Sequence, residues 1–183
     1  MRGRSVFLRM IMPALALSLA GCGINSIPTA EEAAKAQWGN VQNQYQRRAD
    51  LVPNLVATVQ GFAEQERAVL TEVTNARARA TGISLSAEDL SDPVKVQQFE
   101  AAQGALSQSL GRLLVVAENY PQLRSSENFL ALQSQLEGTE NRIANERRIY
   151  NERVQAYNTE IRTFPAIVAA KVVLSVQQLS AGN

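Results

Sequence analysis

From Trp38 onward, apolar residues recur at steps of three and four. Trp38, Val41 and Tyr45 are followed by Val52, Leu55, Val59 and Phe62, then by Val69, Val73, Ala76 and Ala80. Such steps bring side chains onto one stripe of an α-helix, and a spacing nearer 3.5 than 3.6 is that of bundles and coiled coils. A second stripe runs through Phe99, Ala102, Leu106, Leu110, Leu113, Ala117 and Tyr120. In a third, Phe129, Leu136, Ile143, Tyr150, Tyr157 and Phe164 recur every seven residues, with Leu132, Val154 and Ile161 between them. Aromatic residues make up only 5% of the chain, and the abundant Ala, Leu, Gln, Glu and Arg favour helix over strand. The pattern predicts an all-α fold, a bundle of three to four long helices.

The ends of these helices are marked by turn chemistry. Thr29-Ala30-Glu31-Glu32 reads as a capping box that opens the first helix. Thr81-Gly82 closes it, because glycine commonly follows a helix C-terminus. Residues 83–92 form a loop, and Asp92-Pro93 restarts helix with an N-cap aspartate and a proline in the first turn. Pro121 stops the second helix, residues 121–125 make a tight turn, and Pro165 ends the third. At 1.5 Å per residue the three helices measure about 75, 40 and 57 Å. The first therefore overhangs the others or breaks within QRRADLVPNL, residues 46–55. Pro53 removes the hydrogen bond to the Ala49 carbonyl and crowds it. The apolar seam keeps its phase across Pro53, which favours a kink over a full turn.

The N-terminus carries Arg2, Arg4 and Arg9 ahead of an apolar run, residues 10–20, that ends in Leu19-Ala20-Gly21-Cys22. Eleven apolar residues are too few to span a bilayer, which takes about 20. Small residues before the chain's single cysteine read as a bacterial lipobox, with residues 1–21 a lipoprotein signal peptide and Cys22 the lipidated mature N-terminus. More than one acyl chain (palmitate among them) then gives firm membrane anchoring. Residues 22–28 become a membrane-proximal tether, 29–165 the helical body, and 166–183 a C-terminal tail. Gly23 and Ile24 follow the cysteine, and the absence of an aspartate there points to the outer membrane in a diderm host.

The 183-residue chain has no histidine. The commonest general base, the histidine-activated nucleophiles and the Glu-x-x-His di-metal motif of bundles are excluded with it. The reading is therefore of a non-enzyme with no catalytic residue, metal or cofactor. Formal net charge is +1, and three of the positive charges lie in the leader, so the body has no basic footprint for nucleic acid. Charged residues on or beside the seams, Arg47, Arg48, Asp50 and Glu66 in the first helix and Glu140 and Glu146 in the third, are expected to pair across helices and fix register. Glu140 and Glu146 are the carboxylates expected to meet the arginines.

Two blocks carry a family resemblance. QYQRRADLVPNLVATVQGFAEQE, followed by Val69, Leu70, Val73, Ala76 and Arg77, resembles the LemA family, as does residues 118–165, ENYPQLRSSENFLALQSQLEGTENRIANERRIYNERVQAYNTEIRTFP. The resemblance covers most of the chain from Trp38 to Pro165. It implies an antiparallel up-and-down bundle at a bacterial membrane, with no established enzymatic activity, and a TPM-domain membrane protein as a candidate partner. Where the family pattern has Gly-Tyr-Ala-x-His-Glu, this chain has Gly61-Phe62-Ala63-Glu64-Gln65-Glu66, and its tail after Pro165 also departs from the pattern. The function expected is that of a scaffold or adaptor in the envelope. The alternative is a binding module for a small ligand or cell-wall component, in a pocket lined by Arg47, Asn54 and polar residues of the third helix.

Overall fold

The computed structural model of the chain describes residues 26–163. The lipobox with Cys22, the signal peptide and the tail from residue 166 lie outside the described residues. In chain order the elements are α1 (Ser26–Gln60), α2 (Arg67–Gly82), a 3₁₀ turn (Glu88–Ser91), α3 (Pro93–Ala117), the single-turn α4 (Pro121–Arg124) and α5 (Glu127–Glu160). No strand occurs among the described residues. The chain divides into two compact units: Trp38–Arg147, and the segments on either side of it.

Within Trp38–Arg147 the helices alternate in direction. Glu72 of α2 meets Arg112 of α3, while Ala80 near the end of α2 meets Gln103 nearer the start of α3. Glu140 and Arg147 of α5 reach Arg48 and Tyr45 of α1 in reverse order. The unit is thus an antiparallel up-and-down bundle of four long helical segments, from α1, α2, α3 and α5, with the single turn α4 between the last two. Its core takes the predicted stripes: Val52, Leu55 and Val59 from α1, Leu70, Val73, Ala76 and Ala80 from α2, Leu106, Leu110, Leu113 and Ala117 from α3, Leu123 from α4, and Phe129 and Leu136 from α5.

The second unit is described by residues 26–37 and 148–163. In the first of these segments Lys35 pairs with Glu31 at 2.8 Å and Glu32 at 3.3 Å. In the second, Arg148 pairs with Glu152, and burial raises the Tyr150 hydroxyl above the ordinary tyrosine range.

Helix boundaries differ from expectation at several places. α1 already runs at Ser26, so Thr29 lies inside the helix instead of capping it, and residues 26–28, the last of the expected tether, are helical. Pro28 does not prevent this, because the first turn of a helix needs no N–H from it. The long first helix also breaks, but at residues 61–66 and not at Pro53. There the chain tightens: the Phe62 N–H donates to the Val59 carbonyl at 3.0 Å and the Glu66 N–H to the Ala63 carbonyl at 3.0 Å. Ala63 is fully buried in this turn, while Phe62, read as a seam residue, is 42% exposed. The break hid because the seam does not lose phase: Val59, Ala63 and Leu70 are spaced by four and seven, as in an unbroken helix.

Helix runs uninterrupted through Pro53, and the reason is visible at Ala49. Its carbonyl, which no N–H of Pro53 can serve, accepts instead from the Nε–H of Arg77 on α2 at 2.7 Å. A side chain from the neighbouring helix supplies the donor that proline lacks. Arg77→Ala is expected to cost about 1.5–3 kcal/mol, the range for a hydrogen bond to a charged group. In a Pro53→Ala background the backbone N–H restored at that position can serve Ala49. There the same change should cost at least 1 kcal/mol less, to order of magnitude. Urea unfolding of the four proteins of this cycle measures the coupling, and additive losses would show that the two residues act independently.

α5 ends at Glu160, ahead of the expected stop at Pro165, which lies outside the described residues. The start of α3 agrees with the sequence. The Asp92 carboxylate caps α3 by accepting from the Val94 N–H at 2.9 Å and the Lys95 N–H at 3.4 Å. Just before it, Asp89 pairs with Lys95 and accepts from Ser86. These donors, the lysine above all, hold the Asp89 carboxyl at a pKa of about 2.

Candidate functional site

Arg48 is the polar centre of the bundle. It is 1% exposed, an unusual position for a guanidinium. Its Nη1 donates to Glu140 Oε1 on α5 and to Ser107 Oγ on α3, both at 2.7 Å. Its Nη2 donates to Gln103 Oε1 at 2.6 Å and to the Gln103 carbonyl at 3.3 Å. Gln103 in turn donates through Nε2 to the Ala80 carbonyl at the end of α2, at 3.2 Å. One side chain on α1 therefore engages α3 and α5 directly and α2 through a single amide. The Tyr45 ring lies under the guanidinium, 5.3 Å from centroid to Cζ, in cation–π geometry. Tyr45 itself packs edge-on against Phe99 at 5.2 Å, and Arg147 joins the flank by pairing with Glu100 at 2.9 Å.

The arrangement costs desolvation chiefly at the arginine. The Arg48 side chain is 2% exposed against 40% for Glu140, so the carboxylate keeps part of its hydration. Four hydrogen bonds around the guanidinium offset the burial, as an ion pair alone often does not. Arg48 Nε and Gln44 Oε1, four residues apart on α1, are buried without a hydrogen-bond partner.

The other residues expected in this network sort differently. Arg47 is exposed and takes no part. Asp50 is exposed and accepts from Gln46 on its own helix at 2.8 Å. Residues one or two apart on a helix cannot share a face, so burial of Arg48 turns Arg47 and Asp50 outward. Glu146 is half-buried on α5. Glu66 lies at the opposite end of the bundle, where it accepts from the Tyr120 hydroxyl at 2.9 Å. That contact raises the Tyr120 hydroxyl above its ordinary range, since the phenol proton is held by a carboxylate. Gln65, standing where the family pattern has histidine, donates to the Tyr120 oxygen at 2.8 Å. Gln103, Ser107, Tyr45 and Arg77 were not foreseen as partners.

A surface cleft of about 340 Å³ opens beside this network, between α1, the end of α2, residues 83–85 and α3. Tyr45, Phe99 and Gln103 are among its lining, whereas Arg47 and Asn54 are not. Asn54 is exposed elsewhere on α1, so neither it nor Arg47 belongs to this cleft. The loop that walls the cleft is pinned at Leu85, whose carbonyl accepts from Trp38 Nε1 at 2.8 Å and Gln42 Nε2 at 2.6 Å. Among the described residues no cluster of three or more potential metal ligands occurs, and no helix is long and apolar enough to cross a membrane.

Fold and polar centre together define an all-helical bundle whose segments are clasped by one buried arginine. The chain belongs to the LemA family, whose model matches residues 37–179. That match extends beyond Pro165 into the segment read as a divergent tail. Among curated proteins it is similar to the magnetosome proteins MamQ 1 and MamQ 2 of Paramagnetospirillum magneticum, each 27% identical over 157 residues. It is also similar to the magnetosome protein MamQ of Magnetospirillum gryphiswaldense, 26% identical over the same length. These matches cover 77% of this chain and 58% of each relative, so the chain spans little more than half the length of the relatives it matches.

Proposed function

We propose that the protein is a membrane-anchored, non-catalytic scaffold or adaptor of the bacterial envelope. The observation that carries this reading is the Arg48 network. The most buried charge of the bundle is engaged by Glu140, Ser107 and Gln103 of its own chain, so it serves as an internal clasp and leaves the outer helix faces to meet other molecules. Membership of the LemA family supports a membrane setting. The similarity to proteins named for the magnetosome is consistent with a role in organising a cell structure. A TPM-domain membrane protein is the candidate partner. Crosslinking in intact cells followed by affinity capture from detergent extracts tests the role. The expected result is enrichment of a defined envelope protein, and recovery of none across several crosslinkers would count against an adaptor.

In this reading the anchor is lipid on Cys22, in the outer membrane if the host is diderm. Cys22→Ala is expected to shift the protein out of the membrane fraction or leave an unprocessed precursor on gels. Wild-type fractionation and mobility in that variant would remove the lipid anchor from the proposal.

A further inference from the structure

The geometry points to the cleft between α1, the α2 terminus and α3 as a binding site for a neutral saccharide unit. The inference stands apart from the scaffold reading, and either can fail without the other. Its volume, about 340 Å³, falls at the small end of the range of ligand pockets. Its lining contains no Lys, Arg, Asp or Glu. Phosphates and other anions would find no cationic side chain in that lining, and hard cations no carboxylate. Amides and hydroxyls interrupt the lining too often for an acyl chain.

What the lining does offer is neutral hydrogen-bonding capacity of both kinds, donor and acceptor. Gln42 commits one of its two amide N–H groups to the Leu85 carbonyl, and Gln46 commits one of its own to Asp50. Each keeps a second N–H and its amide oxygen for a ligand. Asn43, between them on α1, makes no side-chain hydrogen bond among the described residues, so donor and acceptor are both available. Thr81 and Ser84 line the opposite wall with hydroxyl groups. A ligand that matches must be uncharged and must both donate and accept hydrogen bonds. Sugar hydroxyls do both, and an acetamido group answers the free amide of Asn43 reciprocally. The wall is also held in place before any ligand arrives, because Trp38 and Gln42 both fasten Leu85, so little ordering cost remains for binding.

Equilibrium dialysis of the full chain in detergent micelles against labelled tri-N-acetylchitotriose tests the inference, with maltotriose in a parallel arm. Saturable retention of either sugar is expected for wild type, and stronger retention of the first would identify the acetamido group as part of the recognition. Asn43→Ala should weaken binding about tenfold, the effect of one or two lost hydrogen bonds. Thr81→Phe should abolish it by filling the cleft, since Thr81 is exposed and its hydroxyl bonds only within its own helix. Circular dichroism confirms that both variants fold. Trp38, the only tryptophan of the chain, gives a second readout through its fluorescence beside the loop. No saturable retention of either sugar up to about 10 mM, or retention untouched by Thr81→Phe, overturns the proposal.

Discussion

Arg48→Ala is expected to destabilise the bundle by about 3–5 kcal/mol, the cost of breaking a buried charged network by removing one member. The loss has identifiable parts. Gln103 Oε1 and Ser107 Oγ lose a charged donor, Tyr45 loses the cation over its ring, and a large side-chain volume empties at a fully buried position. Glu140→Ala should cost less, about 1–3 kcal/mol, because Ser107 and Gln103 still hold the guanidinium. Glu140 is also already partly hydrated and gives up less on removal. The double replacement Arg48→Met with Glu140→Leu should recover much of the loss, since an apolar pair of similar volume leaves no orphaned charge. Chemical denaturation followed by circular dichroism ranks the variants. A loss under about 1 kcal/mol for Arg48→Ala, or a larger loss for Glu140→Ala, would show that the clasp is not centred on the arginine.

Leu123→Ala is the second change expected to act strongly, at about 2–5 kcal/mol. Leu123 is fully buried although it belongs to a helix of a single turn. It packs into the cluster with Leu113, Ala117 and Phe129 from the helices on either side. That one side chain anchors the connection between α3 and α5. The local hydrogen bonds that shape this connection, from the Arg124 N–H to the Tyr120 carbonyl and from the Ser126 N–H to the Leu123 carbonyl, are short-range and weak without it. Amide exchange at Arg124 and Ser126 should therefore speed up more than exchange in the middle of α3. Leu123→Met, which keeps the volume, should cost under about 1.5 kcal/mol. Equal acceleration throughout the bundle would mean that the turn has no separate dependence on Leu123.

The helical stripes were legible because burial on a helix repeats locally, every three or four residues. Val41, Val52, Leu55, Val73, Leu106, Leu113 and Leu136 all lie where that repeat puts them. The Arg48–Glu140 pair was legible for a related reason: two opposite charges on two seams have few places to go but toward each other. Gln103 was not, because an amide on an amphipathic helix reads as part of the wet face, and only the arginine beside it explains its burial. The adjacent charges Arg47 and Asp50 were drawn into the network by proximity in sequence, which on a helix places side chains on different faces. The turn at 61–66 was hidden by a heptad-like spacing that survives it. At Pro53 the lost hydrogen bond is legible, because proline carries no N–H. Its replacement was invisible because Arg77 lies 28 residues beyond Ala49, and nothing local announces the pairing.

That pairing has a kinetic side. Without α2, the first helix carries an unserved carbonyl at Ala49, so it reaches its full hydrogen bonding only as half of a hairpin. Closing the loop from Ala49 to Arg77 spans 28 residues, whereas joining Arg48 to Glu140 spans 92. The longer closure costs about 1 kcal/mol more in chain entropy. The proline and its arginine therefore favour an order of assembly in which the first two helices zip together early, and the buried clasp shuts last, when the final helix arrives.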